Sequence, residues 1–169
     1  WFRPHLDSSL SLIARVAPDP SARIIDVGGG ESTLIDDLLS AGYRDLAVLD
    51  ISKTALDVTR QRLGARANSV SWLNADCTQV ELPENSFDVW HDRAVFHFLT
   101  RSEDRAAYVK QVQRSVRPGG FVIIGTFGPE GPQKCSGLDV VRYDSDSLHR
   151  EFGNPFRLLD SLTEIHQTP

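Results

Sequence analysis

A chain of 169 residues is about one domain on the prior of roughly 100–200 residues per domain, which excludes two full catalytic domains. With 40% hydrophobic and 24% charged residues it can fold around a core, unlike a disordered or collagen-like chain. Acidic side chains outnumber basic ones by 23 to 18, for a net charge of −5, so no general attraction to nucleic acid or anionic lipid is expected.

No apolar run approaches the roughly 20 residues that span a bilayer, and the longest, Phe121 to Phe127, reads as a strand. Membrane insertion is not expected. There is no signal-like segment and no methionine, the first residue being Trp1, so the chain reads as a piece of a longer one. Cys77 and Cys135 form neither a C-x-x-C pair nor a zinc-spaced cluster. That usage points to a reducing compartment, cytoplasmic, and to no metal site.

An amphipathic stretch comes first, with Leu10, Ile13 and Ala14 at helical spacing and Asp7 or Ser8 as its cap, and Pro18-Asp19-Pro20 breaks it. Arg23 to Val27 is the first strand. Gly28 to Gly30 open a helix carrying Leu34, Ile35, Leu38 and Leu39 on one face, stopped by Gly42, and Leu46 to Asp50 is the second strand. Ser52 caps another helix (Ala55, Leu56, Thr59, Leu63) that ends near Gly64, before a third strand over Val70 to Asp76. Phe87 to His91 is the fourth strand. A helix with Val109, Val112 and Val116 then runs to Arg117-Pro118-Gly119-Gly120, and Phe121 to Thr126 is the fifth. A Gly/Pro-rich loop from Gly128 to Gly137, a short helix near Ser145 to Glu151 and a late strand-like segment, Phe156 to Ile165, complete the chain. Strands alternating with helices predict an α/β doubly wound fold, a mostly parallel sheet between two helical layers. Trp72 and Trp90 read as core.

The first strand ends in Asp26-Val27-Gly28-Gly29-Gly30-Glu31-Ser32, a carboxylate followed by a turn without β-carbons. Such a turn lets backbone approach a ligand closely, and unpaired N–H groups at a helix start favour an anionic group. Asp50 lies 20 residues past Gly30, at the end of the second strand, where a carboxylate can accept from both hydroxyls of a ribose. Asp76 repeats the placement on the third strand. A dinucleotide fingerprint counted from Gly28 needs glycine at position 33, but the residue is Thr33.

Together Asp26-x-Gly28-x-Gly30, Asp50, Ala75-Asp76-Cys77 and Arg117-Pro118-Gly119-Gly120 resemble class I S-adenosylmethionine-dependent methyltransferases over positions 22–127. The resemblance implies a Rossmann-like sheet of order 3-2-1-4-5 with a late antiparallel strand. It also implies S-adenosylmethionine as cofactor and S-adenosylhomocysteine as product. In that family the glycine turn embraces the methionine moiety, the second-strand acid holds the ribose and the third-strand acid faces adenine. By position the cofactor set becomes Asp26, Gly28, Gly29, Gly30, Asp50, Ile51, Asp76, Cys77 and His91. The third glycine common in that turn is Ser32 here. One domain over 1–169 is then expected: a helix and linker at 1–20, the cofactor-binding core at 21–127, and a substrate-side loop and C-terminal segment at 128–169.

Trp90-His91-Asp92-Arg93-Ala94-Val95-Phe96-His97 follows the fourth strand, at the edge where a parallel sheet presents reacting groups. Its Asp-Arg-Ala run resembles the thiopurine S-methyltransferase branch, and it lacks the Asn/Asp-Pro-Pro-aromatic run of enzymes that methylate base amines. Asp92 and His91 are the expected catalytic residues, a base if the acceptor is protonated. Arg93, Lys134, Arg142 and Tyr143 are the expected acceptor contacts, on a loop long enough to fold over a substrate. A small-molecule acceptor is expected, with a protein acceptor or an inactive cofactor-binding module as alternatives. Trp1-Phe2 is read as part of a lid, and a final strand as missing, which would leave a sheet edge open to pairing between copies.

Overall fold

The computed structural model describes residues 4–165, so the lid assigned to Trp1 and Phe2 lies outside the described residues. Five parallel strands form one sheet: β1 (Arg23–Val27), β2 (Asp45–Asp50), β3 (Val70–Asn74), β4 (Phe87–Arg93) and β5 (Val116–Gly125), in the spatial order β3-β2-β1-β4-β5. Helices α1 (Asp7–Val16), α2 (Leu34–Ser40) and α3 (Lys53–Leu63) contribute to one apolar layer, α4 (Ser102–Ser115) and α5 (Ser145–Phe152) to the other. Two short strands, β6 (Lys134–Cys135) and β7 (Leu138–Asp139), pair antiparallel as a separate hairpin. Strand order reverses between β1 and β4, and such a switch point opens a crevice at the carboxyl ends of the strands.

Alternation along the central strands sets the layers. Ile24 and Val89 face the α1–α3 layer, while Ile25, Val27 and Trp90 face α4, all 0–1% exposed. Each fully buried aliphatic side chain contributes about 1.5–3 kcal/mol, and burial on both faces explains the unbroken apolar runs of β1 and β2. Period two also places Asp26 and His91, partners in register across β1 and β4, on the α1 side, and Asp92 on the α4 side.

The expected elements need several corrections. Asp7 does not cap α1; it lies in the first turn, and the buried positions of the helix are Ser9 and Ile13, with Ala14 exposed. The third strand ends at Asn74, so Asp76 lies in the turn beyond it, and β4 continues past His91 to Arg93. Arg117-Pro118-Gly119-Gly120 does not precede β5 but is a bulge within it, between the pairs Phe87–Val116 and Val89–Phe121. Residues 156–165 form no strand; the antiparallel pairing lies at β6 and β7. Adjacent Leu158 and Leu159 put an apolar side chain on each face, so no register buries the segment's leucines together. Leu158, Leu159, Leu162 and Ile165 stay 44–81% exposed. The segment is tied instead by Arg15–Asp160 at 2.6 Å and Arg93–Glu164 at 4.0 Å.

Candidate active site at the switch point

The glycine turn is built by exclusion of side chains. Gly28 adopts φ +73°, and a β-carbon there would sit 2.0 Å from Val95 Cγ2. One on Gly29 would lie 2.4 Å from Asp26 Oδ2, and one on Gly30 2.7 Å from Asp50 Oδ2 and 2.8 Å from the Ala55 methyl. These separations are far below carbon contact distance, so the turn tolerates no larger residue without moving its neighbours. The backbone is pinned as well. Gly28 N–H donates to Leu49 O at 2.7 Å, and the buried Thr59 hydroxyl of α3 donates to Gly30 O at 2.5 Å. Arg62 donates to the carbonyls of Ser32 at 2.6 Å and Glu31 at 3.2 Å, and also pairs with Asp36. The glycines do not run straight into a helix; α2 begins only at Leu34.

Asp50 accepts from Gly30 N–H at 2.9 Å and Ser52 N–H at 2.7 Å. Each of its oxygens thus accepts one backbone N–H and keeps capacity for a further donor. Ile51 beside it is 75% exposed at the same edge. Asp26 is 3% exposed; Oδ1 is 2.7 Å from His91 Nδ1, while Oδ2 has no hydrogen-bond partner among the described residues and abuts Gly29. An orphaned buried carboxylate oxygen costs on the order of 1–3 kcal/mol unless a donor meets it, so Asp26 leaves one acceptor open at the turn.

The third-strand acid is engaged locally. Asp76 accepts from Thr78 N–H (2.8 Å), Thr78 hydroxyl (2.7 Å) and the Gln79 amide (3.0 Å), and the Thr78 N–H, first among these, holds its carboxyl below the ordinary range. Cys77 packs against the α4-side core, where burial, reinforced by Asp92 and Asp76, pushes its thiol up to about 12. Among the described residues neither Cys77 nor Cys135 forms a disulfide.

Continuation of β4 to Arg93 moves His91 and Asp92 from the open edge to the interior, on opposite faces. His91 is 1% exposed, with Nδ1 against Asp26 and Nε2 2.9 Å from Ser9 Oγ. Asp92 is fully buried; Oδ1 accepts from Val95 N–H at 2.8 Å, and Oδ2 from Phe96 N–H at 3.0 Å and Tyr108 OH at 2.5 Å. Burial pushes its carboxyl up to about 6 despite these donors. Its bonds clamp a turn in which Ala94 is held at φ +75°, a strained conformation that persists only where surroundings enforce it. The clamp seats Val95 over Gly28. Both expected bases are thus committed to internal bonds in this geometry. His97 is buried in a stack on Phe127 at 4.9 Å, and burial lowers its imidazole to about 4.

The acceptor contacts expected from sequence are not brought together. Arg93 ends β4 beside Glu164, and Lys134 on the hairpin faces Asp139 at 3.4 Å, both of that pair well exposed. Arg142 donates to Gly131 O at 3.2 Å, bracing the loop after β5. Tyr143 is not a pocket residue; it is 6% exposed, its ring 5.6 Å from Phe96 and its N–H bonded to Phe127 O at 2.9 Å. An open depression of about 540 Å³ lies along this loop, lined by Pro129, Gln133, Asp139, Val140, Val141 and Arg142. Among the described residues no cluster of His, Cys, Asp and Glu is arranged for a metal ion, and no helix is long and apolar enough to cross a membrane.

Sequence reasoning gave no role at the site to Ser9, Thr59, Arg62, Val95 or Tyr108, placing Thr59 only on a helix face and Val95 only in the run after the fourth strand. Two of them carried a visible signal. Ser9 lies four residues before Ile13, and Thr59 between Leu56 and Leu63, on the buried faces of their helices. A hydroxyl on an apolar stripe must find a partner, because buried polar groups are hydrogen-bonded.

Comparison with known proteins identifies the family. A family profile described as a methyltransferase domain matches residues 25–124. The chain is 30% identical over 123 residues to the eEF1A lysine and N-terminal methyltransferase of Mus musculus, covering 73% of this chain and 17% of that protein. It is 28% identical over 129 residues to the ubiquinone/menaquinone biosynthesis C-methyltransferase UbiE of Ruegeria sp. (strain TM1040), covering 73% of this chain and 50% of that one. The chain thus spans only a fraction of the length of the curated relatives it matches. An S-adenosylmethionine-dependent methyltransferase from Mesorhizobium loti shares the fold at TM-score 0.70 and 17% identity, over 86% of this chain and 78% of that one. So does the Burkholderia thailandensis 1,6-didemethyltoxoflavin-N1-methyltransferase with bound 1,6-didemethyltoxoflavin and S-adenosylhomocysteine, at 0.69 and 19%, over 86% and 64%. With the profile covering most of the chain, its sheet order and its glycine turn in place, the chain belongs to the class I S-adenosylmethionine-dependent methyltransferase family.

Proposed function

We propose that this domain transfers the methyl group of S-adenosylmethionine to a nucleophilic atom of a small-molecule acceptor. The observation that carries the reading is the pairing of two carboxylates at the switch point: Asp26, with a buried oxygen awaiting a cationic donor, and Asp50, with acceptor capacity at the end of β2. Their residue types fit a cofactor that has an ammonium group at one end and ribose hydroxyls further along. Asp26 and the glycine turn hold the methionine end, and Asp50 the ribose. Ile51 offers an exposed apolar face for the base. Asp76 and Cys77 border the base through the shape of their turn, because Asp76's oxygens already serve that turn.

The bound cofactor would supply a methyl on a sulfonium, its carbon open to in-line attack by an acceptor lone pair as the methyl–sulfur bond breaks and S-adenosylhomocysteine leaves. The protein's task is then alignment and exclusion of water. His91 and Asp92 support this indirectly, His91 by orienting Asp26 and Asp92 by clamping the turn that carries Val95. With both committed to internal bonds, the acceptor that suits this site needs no base: a thiolate, a phenolate, or an uncharged amine or aromatic nitrogen. The loop after β5 carries Arg142 beside an open surface depression also lined by Gln133 and Asp139, and we assign the acceptor to this side of the sheet. A protein side chain is the second reading, favoured by the 30% identity to a lysine and N-terminal methyltransferase.

S-Adenosylhomocysteine release, measured over a panel of aromatic thiols, phenols and heteroaromatic amines beside lysine-containing peptides, tests the reading. Turnover confined to low-molecular-weight acceptors agrees with it; turnover confined to peptides supports the second reading and rejects the first.

A further inference from the structure

Three buried side chains connect α1 to the glycine turn. Ser9 of α1, 7% exposed, lies 2.9 Å from His91 Nε2, and His91 Nδ1 lies 2.7 Å from Asp26 Oδ1. A carboxylate only accepts, so we assign the imidazole proton to Nδ1, which leaves Nε2 to accept the Ser9 hydroxyl proton. Asp26 Oδ2 then points at Gly29 without a partner among the described residues. Both ring nitrogens and one carboxylate oxygen are satisfied; the remaining oxygen at the turn is not. No other side chain among the described residues bonds Asp26, so the orientation of its open oxygen depends on His91, and the orientation of His91 depends on α1.

We propose that His91 is a positioning residue that couples the seating of α1 to cofactor binding, by fixing Asp26 with its open oxygen toward the cofactor's ammonium group. The proposal rests on the assignment of the glycine turn to the methionine end of the cofactor. Coupling of this kind is reciprocal: if a seated α1 favours the cofactor, the cofactor must hold α1 in place. Ser9 is the link on the helix side, and its removal separates coupling from binding. Helix α1 has few other polar ties to the body of the domain, the exposed Arg15–Asp160 pair being one, so this contact is well placed to report on its docking.

The test uses the protein as it stands, with S-adenosylhomocysteine as the probe, and has two readouts: its Kd by calorimetry, and hydrogen exchange of the α1 amides by mass spectrometry. In the wild type, the probe slows α1 exchange. In Ser9→Ala the probe still binds, and the added protection of α1 is lost. His91→Asn, whose amide nitrogen replaces Nδ1, binds the probe more tightly than His91→Leu but loses the α1 protection. His91→Leu, which leaves Asp26 without its donor, weakens binding by about tenfold, within the range of site–site couplings. Asp50→Ala, away from the relay, separates this proposal from the reading beneath it. If Asp50→Ala weakens binding while His91→Leu binds as tightly as the wild type, or if the probe leaves wild-type α1 exchange unchanged, the coupling is overturned and the cofactor assignment stands. If the wild type does not bind the probe, both fall. Should His91→Leu fail to fold, Ser9→Ala decides through the exchange of α1.

Discussion

The two halves of the sheet on either side of the switch point are built differently. On the β1–β2 side, Ile24, Ile25, Val48 and Leu49 are 0–1% exposed, and the glycine turn is bonded to Leu49, Asp50, Thr59 and Arg62. On the β5 side, Phe121 to Phe127 are only half-buried, no strand among the described residues pairs with the outer edge, and the β6–β7 hairpin stands on a base held by Val141 and Tyr143. Val141 N–H reaches His97 O at 2.8 Å, and beyond it Leu138 is 62% exposed. The edge we assign to the cofactor is thus held at many points, and the β5 side that we assign to the acceptor is held at few, although β4 between them is as buried as β1. Local stability that varies in this way is the expected pattern where one region must be preorganised and another must admit a ligand.

The comparison breaks most directly at the glycines. Gly28→Ala meets both a left-handed backbone and a β-carbon 2.0 Å from Val95. A loss of about 2–5 kcal/mol is expected from conformational strain and overpacking together, with loss of cofactor binding. Gly137→Ala shares the positive φ, +82°, but meets nothing within 4 Å, so it costs about 1–2 kcal/mol and leaves cofactor affinity unchanged. Denaturant unfolding and calorimetry of the two variants check the contrast, and equal effects on cofactor binding would erase it.

A smaller effect follows from Asp92, which joins the two halves through Val95. Its carboxyl is raised from 3.8 to about 6, chiefly by burial. The group therefore binds its proton more tightly in the folded protein than in the unfolded chain. Its contribution to stability is greatest below pH 3.8 and is lost as pH rises through about 6. Relative to Asp92→Asn, the wild type loses up to about 3 kcal/mol across that window. Unfolding free energies of both proteins measured from pH 4 to 7 test this; parallel profiles would reject it. Smaller still is the behaviour of Cys77, whose thiol is pushed up to about 12 by burial first. It stays unalkylated by iodoacetamide at about pH 8 in the folded protein and reacts on unfolding, since the thiolate is the nucleophile. Rapid labelling of the native protein would show that the turn after β3 is open.

The architecture was legible in the sequence because it is written in periodicities. The apolar runs of β1 and β2, the stripes of α2 and α3 and the glycine turn each follow from short-range pattern, and Asp50 follows from its spacing to Gly30. What was not legible depended on pairings distant in sequence. Nothing local shows that β4 runs two residues past His91, yet that extension decides that His91 turns toward Ser9 and Asp92 toward Tyr108. Tyr143 read as a pocket residue because loops are usually exposed, but its ring packs beside Phe96 in the buried cluster that also holds Phe152. The 156–165 segment shows the converse: its alternation suggests a strand, but strand formation requires an edge to pair with and one face to bury.

The central claim is that the β1–β2 carboxyl edge holds S-adenosylmethionine, and calorimetric titration of the purified protein with that cofactor, beside NAD and the Asp50→Ala variant, tests it most directly. One saturable site for S-adenosylmethionine, none for NAD, and a Kd raised about tenfold or more in Asp50→Ala, as loss of hydrogen bonds to a charged group implies, is the predicted result. Absence of S-adenosylmethionine binding, or binding that Asp50→Ala leaves unchanged, would contradict the account.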